Sequence, residues 1–172
     1  LLDANRLDPP FVGIMSNGTS GDINNINFQE PHPAKAPYEQ MRLVADEIAQ
    51  EAVKVVRSLE YRSDVTLDAR TAELSLGVRL PNAEELARAR SIVDAAEGPV
   101  MKTLEEIYAR ESILLNEYPK TVPLTIQSLR IGDLAINAIP CEVFVEIGLE
   151  LKRESPFPST FTISLANGYN GY

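Results

Sequence analysis

One long amphipathic segment constrains the fold of this chain more than any other feature. Between Tyr38 and Leu59, apolar residues recur at the three- and four-residue spacing of a helix, with charged residues on the other face. Pro37 suits the first turn of such a helix. The spacing therefore predicts an amphipathic helix over residues 38–59. Its apolar positions are Met41, Val44, Ile48, Ala52, Val55, Val56 and Leu59.

Three further segments have helical patterns. In the stretch "LPNAEELARARSIV", Asn82 is placed to be the N-cap and Glu85 stands three residues later, which is close to a capping box. A second helix is predicted over residues 100–117. A third helix is predicted to start near Cys141 and to run to about Glu154. The apolar stripe of this last helix is Phe144, Ile147 and Leu151, with Val143 beside it.

Short apolar and alternating runs predict strands between these helices. Phe11–Met15 has the pattern of a short buried strand. Residues 64–69 and 72–80 predict two more strands. The stretch "VPLTIQSLRIGDLAINAIP" predicts two strands joined at Arg130–Asp133, and residues 160–169 predict a final strand. The mixture indicates an α/β (or α+β) fold, in which a mixed sheet is layered with amphipathic helices.

Composition bounds the class of protein. A chain of 172 residues suffices for one domain, and its net charge of −9 argues against binding to nucleic acid or to an anionic membrane surface. A single Cys excludes an internal disulfide framework, and no apolar run approaches the roughly 18 to 20 residues of a membrane helix. The N-terminal stretch "LLDANRLDPPFVGIM" lacks the pattern of a signal peptide.

Both ends of the sequence suggest an internal piece of a longer protein. The chain opens in what resembles a linker, without an initiator Met, and ends on "ANGYNGY", which is typical of a strand entering a loop. We therefore expect residues 1–172 to be one partial domain, with further parts of it upstream and downstream.

The stretch "SNGTSGDINN", residues 16–25, is the first candidate for a functional site. A Gly-rich polar loop after a strand lets backbone N–H groups and small side chains approach a ligand, although a surface turn has the same composition. Neither a phosphate-binding G-x-x-x-x-G-K-[ST] motif nor a G-x-S-x-G motif is present. Composition alone favours the surface turn.

Five other positions carry chemistry-bearing side chains. His32 lies between two prolines and fits a solvated loop, and Cys141 fits a small buried residue better than an activated nucleophile. Glu142 follows a predicted strand and opens a predicted helix. It suits either a carboxylate stabilised by the helix dipole or a metal ligand or general base at the mouth of a sheet. Tyr169 and Tyr172 are either packed aromatics or phenol donors and, more rarely, a metal ligand.

Taken in order, three stretches resemble the catalytic domain of the neutral (non-lysosomal) ceramidase family. "SNGTSGDINN" resembles that family's N-x-G-[DN]-[VL]-S-P-N loop, with Gly21, Asp22 and Ile23 matching. "PCEVFVEIGLELK" resembles its P-[GA]-E-F-T element and the helix that follows. "LANGYNGY" resembles its S-N-x-Y-x-x-Y element. The resemblance covers most of this chain and part of the family's catalytic domain.

The resemblance implies zinc-dependent cleavage of the N-acyl amide bond of ceramide, and thus a role in sphingolipid metabolism. It makes Glu142 and Tyr172 zinc ligands, places two His ligands upstream of Leu1, and does not match His32 to either. It assigns substrate contacts to Gly21 and Tyr169. It also implies a secreted or periplasmic protein, because the family is typically exported or attached to the outer side of a membrane.

The chain departs from the family at the catalytic Ser, whose place is taken by Asn24, while Asn25 replaces the following Pro. Asn cannot act as a serine-type nucleophile. Two interpretations follow. In the first, zinc-activated water attacks directly, Asn24 hydrogen-bonds the substrate or the developing oxyanion, and Asp22 orients the loop. In the second, hydrolysis is lost and the fold binds a lipid or glycan. The amide substrate need not be ceramide itself.

Overall fold

The computed structural model describes residues 12–24, 26–30 and 35–171. Within those ranges the chain forms four α-helices and a four-stranded mixed sheet, so the predicted α/β or α+β class is confirmed. The elements are α1 (Glu39–Ser58), β1 (Leu67–Gly77), α2 (Ala83–Ala95), α3 (Leu104–Leu115), β2 (Thr121–Ile131), β3 (Leu134–Ile139), α4 (Val145–Glu154) and β4 (Ser159–Ser164).

The chain divides into two compact units. One unit consists of Leu1–Arg70 and Gln127–Tyr172, and the other of Thr71–Ile126, so the boundary crosses both β1 and β2. The second unit contains α2 and α3, which pack on each other around the buried residues Ala89 and Ala109. The expectation of one partial domain over residues 1–172 stays a prediction.

The strand order β1-β2-β3-β4 combines two kinds of pairing. Strands β2 and β3 are antiparallel and form the predicted hairpin, whose two-residue turn places Gly132 at a φ of 61°. Strands β3 and β4 are parallel, and α4 is the crossover between them. Helix α4 packs against β4. The parallel pair brings the carboxyl ends of β3 and β4 to the same edge of the sheet.

Helix boundaries follow the local capping chemistry. The capping box of Asn82 and Glu85 on α2 is confirmed, and α3 begins at residue 104 because Thr103 and Glu106 form a second box. The prediction of a start near residue 100 was therefore wrong. The prediction for α1 was correct to within one residue at each end, but Pro37 precedes the N-cap, Tyr38, and lies outside the helix.

Two strand predictions were wrong. Residues 64–69 and 72–80 do not form separate strands, because β1 runs without interruption from Leu67 to Gly77. Between the two predicted strands stand Arg70 and Thr71, and neither a Gly nor a Pro is there to end the strand. Val12–Met15 forms no strand, because no described segment pairs with it along its length, and Ile14 is 89% exposed. Phe11 lies outside the described residues.

Acid should weaken the start of α3 through Glu106. The backbone N–H groups of Lys102 and Thr103 donate to the Glu106 carboxylate and hold the pKa of that group below its usual 4.5. This stabilisation is present above the unfolded-state pKa and is lost as the pH falls through the folded-state pKa. Glu106→Gln keeps an oxygen acceptor but does not titrate. We expect a shallower loss of thermal stability below pH 5 in that variant, and an unchanged slope would contradict the assignment.

Candidate functional site

Two loops meet beyond the carboxyl ends of β3 and β4. The paired residues Ile139 and Ser164 end the two strands side by side, as parallel pairing requires. Backbone hydrogen bonds then join the loops: the Asn170 N–H donates to the Pro140 carbonyl at 2.7 Å, and the Glu142 N–H donates to the Gly171 carbonyl at 3.3 Å. The segment that carries Glu142 and the "NGYNG" segment therefore lie together.

The polar loop of residues 16–24 joins the same place from the other end of the sequence. The Ser164 N–H donates to the Asn17 carbonyl at 3.1 Å, and the Gly21 N–H donates to the Val143 carbonyl at 2.9 Å. Within the loop, the Asn17 amide donates to the Ser20 hydroxyl at 3.0 Å. All three stretches selected from the sequence thus converge at one edge of the sheet.

Glycine makes this close approach possible at two positions. A Cβ on Gly21 would overlap the Glu142 carbonyl oxygen and would stand 2.9 Å from Phe144 Cδ1. A Cβ on Gly148, in α4, would overlap the Thr19 hydroxyl and would stand 2.7 Å from Thr19 Cγ2. Real Cβ atoms essentially never come this close to another heavy atom, so the loop packs against α4 and its preceding turn only with glycine at both positions.

Asp22 provides the N-terminal cap that α4 lacks in its own sequence. The N-cap residue of α4 is Phe144, whose side chain has no polar atom to accept a hydrogen bond. The Val145 N–H instead donates to Asp22 Oδ1 at 2.9 Å, although 123 positions separate the two residues in the chain. The negative charge also suits the positive end of the helix dipole. Asp22 therefore ties the polar loop to the helix that follows Glu142.

Helix α4 begins later than the sequence indicates. Its first residue is Val145, so the prediction that Cys141 starts the helix and that Glu142 opens it was wrong. The chain bends at Pro140 and Cys141 and has no regular secondary structure over residues 142–144, where Val143 is buried. Of the predicted apolar stripe, Ile147 and Phe144 are each more than two-fifths exposed. Glu142 consequently lies between β3 and α4, in residues 140–144, which we call the Glu142 turn.

The Glu142 residue is partly buried. Its carboxylate makes no hydrogen bond or ion pair with any residue that the structure describes. Its oxygens are not among the fully buried side-chain atoms that lack a partner, so the carboxylate is available to bind a cation. The described residues contain no group of three or more His, Cys, Asp and Glu that could hold a metal ion. Glu142 therefore offers one ligand and not a complete site.

The other candidate residues surround this turn or lie outside the described ranges. Asn24 is exposed on the polar loop, two residues beyond Asp22, and Tyr169 is 68% exposed in the segment that Asn170 anchors. Tyr172, Asn25 and His32 lie outside the described residues. The structure thus brings Gly21 and Asp22 against the Glu142 turn.

Polar groups beneath the site have unused hydrogen-bonding capacity. Thr162 and Ser164 are only 5% and 4% exposed, and their hydroxyl oxygens have no partner among the described residues. The two residues are separated by one position on β4 and therefore share a face of the sheet. Cys141 is half-buried nearby in sequence, and burial raises the pKa of its thiol. A raised pKa disfavours the thiolate, which agrees with a packing role for Cys141.

Comparison with protein-family models and with curated proteins finds no match to this chain. None of the helices in the described part of the chain combines the length and the apolar character of a membrane span.

Proposed function

We propose that this chain carries part of a zinc-dependent hydrolase that cleaves an amide bond, as ceramidase-like enzymes do. The observation that carries the proposal is the Glu142 carboxylate, which lies in the segment after β3 and has no partner among the described residues. Carboxylate oxygen is an ordinary zinc ligand, and catalytic zinc sites combine it with His. The remaining ligands in this proposal are Tyr172 and two His residues upstream of Leu1.

In this proposal, each candidate residue of the chain has a separate role in the reaction. Zinc, when bound, supplies Lewis-acid activation of water near neutral pH, so the absence of a Ser at position 24 does not prevent hydrolysis. Glu142 holds the metal ion. Asn24 carries an amide N–H group that can donate to the oxygen of the scissile carbonyl as negative charge develops there. Gly21 and Tyr169 contact the substrate.

An N-acylated lipid such as ceramide is the substrate class we propose, by the likeness of the three stretches to the ceramidase family. A protein acting on such a substrate would be exported, either secreted or periplasmic.

One observation favours a second function. Asn24 occupies the place of the family's nucleophile, and a lipid- or glycan-binding domain on the same scaffold would need no nucleophile. Zinc content separates the two functions.

Replacement of Glu142 tests the proposal. We expect the full-length protein to bind one zinc ion, and we expect Glu142→Ala and Glu142→Gln to lose it, because both variants remove the carboxylate assigned as a zinc ligand. Zinc is measured by atomic absorption after dialysis. The matched control is Glu146→Gln, which removes an exposed carboxylate four residues later, in the first turn of α4.

The controls decide between the outcomes. Zinc retained in Glu146→Gln but lost in both Glu142 variants would support the ligand assignment. Unchanged zinc content in the Glu142 variants would overturn it. A full-length protein without zinc would favour the non-catalytic binding domain.

A further inference from the structure

The apolar face of helix α1 is not buried by the residues that the structure describes. Helix α1 contains no buried residue, whereas α2, α3 and α4 each contain one. Met41 and Ile48 are 68% and 55% exposed. An amphipathic helix normally buries its apolar face, so this face indicates an interaction surface. We call it the α1 stripe, and its exposed residues are Met41, Val44, Ile48, Ala52, Val55, Val56 and Leu59.

The α1 stripe has nearly the same spacing when it is read in either direction. Residues at equal distances from position 50 are Met41 and Leu59, Val44 and Val56, and Ile48 and Ala52. A second copy of the helix in antiparallel orientation therefore places an apolar residue opposite each of these residues. The large Ile48 side chain then faces the small side chain of the partner's Ala52, a match that lets side chains interdigitate.

The charges of α1 favour the same antiparallel orientation. Three carboxylates and one guanidinium precede position 50 in the helix, and two cations and one carboxylate follow it. Antiparallel pairing sets the acidic half of each helix against the basic half of the other, whereas parallel pairing sets like charges together. The sequence of the helix is therefore complementary in charge to its own antiparallel copy.

Glu47 and Lys54 are the charged residues best placed to pair between two copies. They are seven positions apart, so they lie on the same side of the helix, beside the α1 stripe. They also stand at nearly equal distances from position 50, which brings each of them next to the other's counterpart in an antiparallel pair. The Lys54 ammonium lies 3.1 Å from Glu51 in its own helix and is exposed, so it can also reach a carboxylate of a second copy.

We propose that α1 is a self-association surface through which two copies of this protein pair with antiparallel α1 stripes. A twofold pair uses the same patch on both subunits and therefore closes as a dimer. Helices that lie on membranes are rich in Lys and Arg, but α1 carries four carboxylates against three cations, which favours a protein partner. No residue of α1 belongs to the candidate site, so this proposal does not depend on zinc binding.

Sedimentation equilibrium of the full-length protein over a range of concentrations tests the proposal. We expect a monomer–dimer equilibrium with a dissociation constant on the order of 1 to 100 μM, because two helices about 30 Å long bury less than a standard interface. Ile48→Glu should weaken dimerisation by about 100-fold or more, because it places two carboxylates at the centre of the contact.

The matched control is Leu43→Glu, which makes the same kind of change at an exposed position about 140° round the helix from Ile48. We expect its dissociation constant to stay within about threefold of the wild type, as for most surface substitutions. Equal weakening by the two substitutions would contradict pairing through the α1 stripe.

Charge reversal tests the orientation of the pair. Glu47→Lys and Lys54→Glu should each weaken dimerisation roughly tenfold, because each replaces two attractive contacts by two repulsive ones. The double variant Glu47→Lys/Lys54→Glu restores opposite charges and should return to within about threefold of the wild type. A double variant that shows the combined loss of both single variants would contradict antiparallel pairing.

Three other results would overturn the proposal. The first is a wild-type protein that stays monomeric over the whole concentration range. The second is a monomer whose stability in urea falls with Ile48→Glu but not with Leu43→Glu, which would show that another part of the same protein covers the stripe. The third is a monomer that binds phosphatidylcholine vesicles through Ile48, which would assign the stripe to a lipid surface. Zinc content tests the proposed function separately.

Discussion

Gly21→Ala should destabilise the folded protein by about 2 to 3 kcal/mol, which combines overpacking with the loss of one backbone hydrogen bond. The added Cβ would overlap the Glu142 carbonyl oxygen and would stand 2.9 Å from the carbonyl carbon. Backbone atoms cannot retreat as a flexible side-chain end can. The loop must therefore move away, and the bond from the Gly21 N–H to the Val143 carbonyl is lost with it. The midpoint of urea unfolding measures the effect.

Gly18→Ala is the matched control, because it lies in the same loop and makes the same chemical change. A Cβ at Gly18 would meet no heavy atom within 4 Å. We expect its unfolding free energy to stay within about 0.5 kcal/mol of the wild type, as for most surface substitutions. Equal effects of the two substitutions would show that the polar loop does not pack on the Glu142 turn.

Gly148→Ala should also destabilise the protein, against the usual preference of a helix for Ala. Within a helix, Ala is favoured over Gly by about 1 kcal/mol. Here the new Cβ would overlap the Thr19 hydroxyl and would stand 2.9 Å from Thr19 Cβ, and overpacking of this kind costs about 1 to 3 kcal/mol. We expect the overlap to outweigh the propensity and to leave a net loss of about 1 kcal/mol.

Gly148→Ala should stabilise the protein, instead of destabilising it, when Thr19 is replaced by Gly. In a Thr19→Gly background, the three atoms nearest to the new Cβ are absent, so Gly148→Ala should stabilise by about 0.5 to 1 kcal/mol. A double-mutant cycle on urea unfolding gives the coupling between the two residues directly. Additive effects would mean that Thr19 and Gly148 do not touch in the folded protein.

Local patterns predicted the elements whose boundaries are set by nearby residues. Asn82 and Glu85 start α2 from within one turn, and Gly132 fixes the β2–β3 hairpin. The start of α3 could have been found from the same signal, since Thr103 and Glu106 have the spacing of a capping box.

Elements that depend on distant partners were harder to predict. The apolar run Val12–Met15 has the composition of a strand, but composition does not show whether another strand lies beside it. The capping of α4 also depends on a distant partner. Its cap is supplied by Asp22, and no local rule relates residues 123 positions apart.

In the candidate site, too, some features follow from local sequence and others depend on distant partners. The candidate residues were chosen from short motifs, and the resemblance of these motifs to a family predicted that they share one site; the family assignment stays a prediction. Parallel pairing of β3 with β4 explains why the Glu142 turn and the Tyr169 segment meet. Gly21 and Asp22 reach that turn because Gly21 and Gly148 have no Cβ. Composition does not show that glycine is required at these two positions.

The most direct test of the central claim is a crystal structure of the full-length protein with diffraction data collected on both sides of the zinc absorption edge. The claim is that the Glu142 carboxylate is a zinc ligand. We expect an anomalous difference peak about 2.0 to 2.2 Å from a carboxylate oxygen of Glu142, which is the usual distance of zinc from carboxylate oxygen. A zinc peak elsewhere in the protein, with the Glu142 carboxylate paired to a side chain or to solvent, would contradict the claim.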